Sequence, residues 1–237
     1  MGPFLSTLVL IAVCSVLGVR LLAAARRTRG LPELLVGGAF VLAGTGGFGF
    51  AILSVVLPVG DGARLALRAI ATICLHGGVG CIAAFTWRVF RPGDRFGAAF
   101  FAALAALLVA SVAHEIAMRG PDSGGAGMQA VWSVAVGATV YLWAAFESGR
   151  YWLLLRRRLR IGLGEPFVAA QMLCWSTASL AIALGWIRDV AMKLAGSPGV
   201  TAIGSYTTTF LVLVCAIAYW LAFFPPARFR RWVTARA

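Results

Sequence analysis

Charged residues are scarce in this chain of 237 residues, and their scarcity excludes a soluble globular protein. Only 12% of the residues are charged, whereas 61% are hydrophobic. A soluble domain of this length cannot bury so much apolar surface, because buried area grows slowly with chain length. A bilayer accommodates that surface, since its interior is an apolar solvent for helices of about 20 residues. We therefore expect an integral membrane protein.

Residues that hold cofactors are also rare. The chain has two histidines, His76 and His114, and a single lysine, Lys193. The histidines are expected at different membrane depths, which disfavours both a metal site and a bis-histidine haem. Lys193 is expected at the outer end of a helix, which disfavours a retinal Schiff base. We therefore predict no cofactor, no metal site and no catalytic residue set.

Long apolar stretches are what the sequence has instead. They are nearly continuous, which predicts helices, because membrane strands alternate in polarity over about 10 residues. The prediction is an all-α protein with a single domain, residues 1–237, that forms a bundle of seven transmembrane helices. The predicted helices lie at residues 4–25, 33–57, 65–90, 96–118, 129–155, 166–190 and 199–224.

The basic residues are distributed unevenly between the two sides of this bundle. Sixteen of the 21 lie on one side, which carries a net charge of +12, against +1 on the other. Short basic loops stay in the cytoplasm, so we expect an outside N-terminus and a cytoplasmic C-terminus. Attraction to anionic headgroups explains the arginines without nucleic acid. The first apolar run has basic residues after it and none before it, which favours a retained helix over a signal peptide.

Small residues recur every four positions in the second predicted helix, at Ala39, Ala43, Gly47 and Ala51. Such a face lets two helix backbones approach closely, which is what drives helix association in lipid. It is a candidate surface for a protein partner or for homo-oligomerisation.

Ionisable residues at membrane depth are costly and therefore mark candidate functional positions. His76 is expected near the midplane, on the same face of the third predicted helix as Arg68 and Thr72. Other polar or aromatic residues are expected in the outer half of the remaining helices. The complete candidate ligand-binding set is Arg68, Thr72, His76, Ser111, His114, Glu115, Thr139, Trp186, Asp189, Tyr206 and Thr209.

If these residues converge, they outline a polar cavity that is open to the outside and closes near His76. The first hypothesis is therefore an integral membrane protein that binds a small molecule, as a sensor, a receptor-like protein or a permeation unit. A second is an intramembrane enzyme that modifies a lipid, with His76, His114 and Glu115 as acid–base groups. A third is a non-catalytic subunit of a membrane complex. All three hypotheses describe a multi-pass membrane protein.

The predicted topology is similar to that of microbial rhodopsins and G-protein-coupled receptors, although their sequence motifs are not present. Two segments, Leu31–Gly37 and Arg158–Pro166, look more like an uncharacterised bacterial family of seven-helix membrane proteins. That resemblance covers under a tenth of the chain and implies no activity. It implies a bacterial cytoplasmic membrane as the location, and structural roles for Glu33 and Glu165 at helix starts.

Overall fold

The structure is a computed structural model that describes residues 2–117, 129–195 and 202–235. These residues form helices and no strand, which confirms the predicted all-α class. The helices are α1 (Gly2–Thr28), α2 (Leu31–Ala39), α3 (Phe48–Val56), α4 (Asp61–Phe90), α5 (Arg95–Ala117), α6 (Gln129–Arg160), α7 (Pro166–Leu194), α8 (Ala202–Phe223) and α9 (Ala227–Ala235). The π-helical segment π1 (Phe40–Gly47) joins α2 to α3.

Six helical stretches of the described residues are long and apolar enough to cross a membrane. They are Phe4–Thr28, Leu31–Val56, Asp61–Phe90, Arg95–Ala117, Pro166–Leu194 and Gly204–Phe223. Large apolar side chains such as Val55, Val109 and Phe210 are exposed on their outer surfaces. An apolar surface of this extent is typical of contact with lipid. The protein is therefore a multi-pass helical membrane protein.

The fifth predicted helix, α6, is not among these six stretches. It contains 32 residues, which exceeds the length needed to cross a bilayer. Its first half contains two tryptophans, one serine, one glycine and one tyrosine, and its second half carries Glu147 and five arginines. These residue types make α6 less apolar than its neighbours, so composition alone does not mark it as a span.

The helices close into a bundle in which the last long helix returns to the first. α1 packs on α2 and π1, these pack on α4, and α4 packs on α5 and α6. α6 then packs along α7, α7 along α8, and α8 back on α1. Two of the short connections need a glycine, because Gly93 has a φ of 78° and Gly162 a φ of 72°, which other residues adopt with strain.

The small-residue face of the second predicted helix packs within the chain. A Cβ atom added to Gly78 of α4 would lie 2.6 Å from the backbone nitrogen of Ala43. A Cβ atom added to Gly47 would lie 3.1 Å from the Leu75 side chain. Ala39 and Ala43 are accordingly buried, whereas Ala51 is exposed. The face therefore joins π1 to α4, and an oligomer formed through it stays a prediction.

Several helix ends differ from the prediction. α4 begins at Asp61 rather than 65, and α6 continues through its arginines to Arg160 rather than 155. No helix was expected beyond residue 224, yet α9 follows Pro226 and packs on α7, with the Arg230 guanidinium 5.3 Å from the centre of the Phe167 ring. The predicted helix end at residue 118 and helix start at residue 199 lie outside the described residues.

The two acidic residues singled out by resemblance both lie at helix starts. Glu33 is in the first turn of α2, and Glu165 is the N-cap residue of α7, directly before Pro166. A carboxylate at this end of a helix is favoured by the helix dipole. A proline in the first turn is compatible with helix geometry.

Candidate functional site

A cavity of about 190 Å³ lies inside the bundle between α1, π1, α4, α6, α7 and α8. Its wall is mainly apolar and aromatic, with Phe40 from π1, Tyr141 from α6, Trp186 from α7 and Tyr219 from α8. A mostly apolar pocket with a few placed polar groups is the usual form of a small-molecule site. The cavity is therefore the first candidate for ligand binding.

The polar end of this cavity is formed by Arg188, Asp189 and Thr208. Arg188 donates hydrogen bonds through Nη1 to the Gly204 carbonyl oxygen, at 2.7 Å, and to the Thr208 hydroxyl. Its Nη2 atom lies 3.0 Å from Asp189 Oδ1. Its Nε atom is buried and has no hydrogen-bond partner among the described residues. Within the described ranges, one donor of the guanidinium is therefore left unsatisfied.

The position of Trp186 in the wall depends on Gly137 of α6. A Cβ atom at Gly137 would occupy the space of the Trp186 ring. The missing side chain lets the indole approach α6 closely, where its ring centre is 6.2 Å from that of Tyr141. One glycine thus shapes the aromatic side of the cavity.

A second polar group lies among α4, α5 and α6. His76 is buried, and its Nδ1 atom is 2.9 Å from the Thr72 carbonyl oxygen of the preceding turn. Its Nε2 atom is 3.0 Å from Ser133 Oγ, which is 2.5 Å from Glu115 Oε1. The Thr72 hydroxyl donates to Glu115 Oε2 at 3.3 Å. We call His76, Ser133 and Glu115 the polar triad.

The eleven predicted ligand-binding residues therefore do not form one group. Trp186 and Asp189 line the cavity, whereas Thr72, His76 and Glu115 meet in and beside the triad. The hydroxyl groups of Ser111, Thr139 and Thr209 donate to carbonyl groups of their own helices. The His114 ring packs against Trp132, at a centroid distance of 5.8 Å, and Arg68 and Tyr206 are exposed.

Several residues of these groups were not predicted as site residues, and Ser133 and Arg188 are the most important of them. Ser133 carries no sequence signal, because single serines are frequent and inexpensive in membrane helices. Arg188 does carry a sequence signal, since an arginine within an apolar helix is costly. The same arginine is explained equally well as a charged residue near the outer surface of the membrane. Both acquire their roles from contacts between helices.

At the other end of the bundle, a buried ion pair joins α6 to the turn between α4 and α5. Glu147 is only 4% exposed, and its Oε1 atom accepts from Arg91 Nε at 2.8 Å and lies 2.7 Å from Arg91 Nη2. Arg91 also pairs with Asp94 at 3.0 Å. The hydrogen bond from Arg91 holds the pKa of Asp94 below its usual range. Arg150 lies further from Glu147, at 3.8 Å.

No group of three or more histidine, cysteine or acidic side chains within the described ranges is placed to hold a metal ion. The five cysteines have free thiols. The predictions that the protein uses neither retinal nor haem rest on the sequence alone. Comparisons of the chain with models of protein families, with curated proteins and with solved structures find no match.

Proposed function

We propose that this protein is a membrane binding protein for a small, mainly apolar molecule that carries one acidic group. The proposal includes seven membrane-spanning helices, an outside N-terminus and a cytoplasmic C-terminus in a bacterial cytoplasmic membrane. The observation that carries it is the guanidinium-bearing residue Arg188, which lines the polar end of a mainly apolar cavity.

The seventh span of this proposal is α6. It packs along α7 and also contacts α4 and α5, all of which are long enough to cross the membrane. Its polar side chains Ser133, Glu147 and Ser148 are buried against these neighbours rather than turned outward. A helix that satisfies its polar residues inside a bundle is compatible with lipid on its other side.

Charge supports the orientation. The ends of α1 and α6 and the whole of α9 are rich in arginine, which attracts anionic headgroups on the cytoplasmic side. With this orientation, the Arg188 end of the cavity faces the outside. A cavity that opens there receives molecules from outside the cell.

The topology is tested by labelling single introduced cysteines in intact cells with a maleimide that does not cross membranes. Gly60→Cys, in the α3–α4 turn, is expected to react, because a side chain there meets no atom within 4 Å and faces outside. Leu163→Cys, which is 76% exposed between α6 and α7, is expected to react only after the cells are opened. Reaction of both variants in intact cells would show that α6 does not span, whereas reaction of Leu163→Cys alone would show that the orientation is reversed.

The ligand class follows from the size and the lining of the cavity. An apolar cavity of about 150 Å³ holds one benzene molecule, so a cavity of about 190 Å³ fits a ring with one small substituent. The aromatic wall favours such a ring through edge and stacking contacts. A carboxylate on the ring would accept hydrogen bonds from Arg188, the side chain best suited to that geometry. Asp189, which is 52% exposed, balances the arginine charge when the cavity is empty.

Benzoate is therefore the probe of choice, with benzyl alcohol as its uncharged counterpart. We expect benzoate to raise the unfolding temperature of the full chain in lipid nanodiscs with increasing concentration, by linkage to the folded state. Arg188→Gln is expected to abolish this shift. Arg68→Gln is the matched control, since Arg68 is an exposed arginine that does not line the cavity.

A second variant keeps the test decisive if Arg188→Gln unfolds. Gly185 lines the cavity, and a Cβ atom there meets nothing within 4 Å, so Gly185→Ala occupies ligand space without a clash. We expect it to fold and to bind benzoate more weakly. A benzoate shift of equal size in wild type, Arg188→Gln and Gly185→Ala would exclude this cavity as the site.

A further inference from the structure

Hydrogen-bond geometry in the polar triad fixes the number of protons that it holds. A carbonyl oxygen accepts hydrogen bonds and cannot donate them. His76 Nδ1, 2.9 Å from the Thr72 carbonyl oxygen, therefore carries a hydrogen. The remaining question is how hydrogens are placed along the chain from His76 Nε2 through Ser133 Oγ to Glu115 Oε1.

Two contacts make up that chain, at 3.0 Å and 2.5 Å. Each contact needs one hydrogen, and the Ser133 hydroxyl brings only one. The second comes either from Nε2, which makes His76 an imidazolium beside a carboxylate, or from Glu115, which makes it a carboxylic acid beside a neutral imidazole. The two arrangements contain the same number of protons and the same net charge. Any arrangement with one proton fewer leaves two lone pairs facing each other at one contact.

We propose that His76, Ser133 and Glu115 form a proton-binding site that holds one proton between the His76 imidazole and the Glu115 carboxyl group. The proton moves by two coupled steps. The Nε2–H bond breaks as a new O–H bond forms at Ser133, and the original Ser133 O–H bond breaks as one forms at Glu115 Oε1. The imidazolium and the carboxylate become neutral together, and no other reactant is needed.

Within the part of the chain that the structure describes, few other charged side chains lie on the elements around the site. Arg68 lies two turns earlier on α4 and is exposed, and on α5 the partly buried His114 makes an edge contact with the Trp132 ring. On α6, the ionisable residues Glu147 and Arg150 lie at least 14 positions from Ser133, about 20 Å along the helix. The segments α3 and π1, which also pack on α4, carry no acidic or basic residue, and α2 carries one, Glu33, in its first turn. Among the described residues, the Thr72 hydroxyl is the side chain that donates a hydrogen bond to the triad from α4.

The proposal assigns proton binding to three helices, none of which contributes a residue to the polar end of the cavity. His76 is on α4, Glu115 on α5 and Ser133 on α6. A bound proton joins all three through hydrogen bonds, whereas its loss breaks one contact between them. In water at pH 7.5, a separate histidine side chain is mostly neutral and a separate glutamate side chain is mostly ionised. Such a pair holds one proton fewer than the hydrogen bonds of the triad require.

The test measures both groups in the full-length protein in nanodiscs at pH 7.5. Nitrogen-15 NMR of labelled histidine gives the ring form of His76, and His114→Asn assigns the two histidine signals. Carbon-13 NMR of labelled glutamate, assigned with Glu115→Gln, gives the form of Glu115. We expect either imidazolium with carboxylate, or a neutral ring protonated at Nδ1 with a carboxylic acid. A neutral ring beside a carboxylate, or a ring protonated only at Nε2, would overturn the proposal.

A serine variant tests the link itself. Ser133→Ala removes the bridging hydroxyl and is expected to leave a neutral His76 and an ionised Glu115, one proton fewer than wild type. Ser111→Ala is the matched control, because Ser111 is also a buried serine but donates to the Leu107 carbonyl of its own helix. Wild-type forms of both groups in Ser133→Ala would show that the hydroxyl does not carry the proton.

Discussion

The indole ring of Trp186 lies against the backbone of Gly137, at a place where any side chain would overlap with it. The contact joins α7 to α6 and sets one wall of the cavity. Gly137 lies within a regular helix, so close approach, rather than an unusual backbone conformation, requires a glycine there.

Gly137→Ala is therefore expected to displace the Trp186 ring and to destabilise the protein by about 1–3 kcal/mol, the usual cost of overpacking. It should also weaken benzoate binding, because the ring is part of the wall. The measurements are thermal unfolding in detergent and benzoate titration. Trp186→Leu in the same chain is expected to recover part of the stability by making room for the added methyl group.

The control for this variant is Gly49→Ala on α3, where an added Cβ atom meets nothing within 4 Å. An alanine in a helix is favoured over glycine by about 0.5–1 kcal/mol, so this variant should be slightly more stable than wild type. Equal stability of Gly137→Ala and Gly49→Ala would contradict the packing argument.

The ion pair of Arg91 and Glu147 predicts unequal effects of removing its two members. Arg91→Gln leaves the buried Glu147 carboxylate with only the distant Arg150, at 3.8 Å, and is expected to cost about 3–5 kcal/mol. Glu147→Gln leaves Arg91 paired with Asp94 and is expected to cost about 1–3 kcal/mol. Denaturation of the purified variants measures the difference.

Two further variants check this asymmetry. The double variant Arg91→Gln with Glu147→Gln should be more stable than Arg91→Gln alone, because it leaves no buried charge. Arg88→Gln serves as the control, since Arg88 lies over the Trp87 ring and not on the carboxylate. A double variant less stable than both single variants would count against the stated cause.

The helices were predictable from the sequence because the bilayer imposes a long apolar run on each one. The predicted end of the third helix at residue 90 agrees with Phe90, and the predicted end of the seventh at 224 lies one residue from Phe223, before Pro225. The π-helical segment was not predictable in this way. It depends on where Gly44 and Gly47 meet α1 and α4, which no local pattern encodes.

The candidate sites were predictable only in part, for the same reason. Thr72 and His76 were identified because a spacing of four places them on one face of one helix. Glu115 was identified because a carboxyl group at membrane depth is costly. Their link through Ser133 joins α4 to α6 across 57 positions of sequence, and the place of Arg188 at the cavity depends on α8. Contacts of this kind follow from packing alone.

The turn between α4 and α5 predicts a weak dependence of stability on acid. The hydrogen bond from Arg91 lowers the pKa of Asp94 from its usual 3.8. Ionised Asp94 therefore stabilises the folded state at pH values above the pKa that Asp94 has in the unfolded chain. This contribution is lost as the pH falls below about 3.8 and through the lowered pKa of the folded state. Asp94→Asn should therefore be less stable than wild type at neutral pH, and the two should converge in acid.

Unfolding of both proteins between pH 6 and pH 2.5 measures this convergence. Arg91→Gln should reduce the difference between aspartate and asparagine at position 94, leaving the part due to the Phe96 N–H that also donates to Asp94, whereas Arg88→Gln should leave the whole difference. A difference that grows as the pH falls would mean that the stabilising form of Asp94 is the protonated one, against the assigned cause.

Two adjacent glycines of α4 provide the sharpest test of how π1 is held. A Cβ atom at Gly78 would lie 2.6 Å from the Ala43 nitrogen and 2.9 Å from the Ala39 carbonyl oxygen, which are backbone atoms that cannot rotate away. At Gly77, the nearest atom is the Leu42 side chain, at an ordinary 3.6 Å. Both substitutions gain the same helix propensity, so their difference isolates packing. We expect Gly78→Ala to be less stable than Gly77→Ala by about 1–3 kcal/mol. Thermal unfolding of the two variants measures this difference, and equal stabilities would show that α4 and π1 separate at little cost.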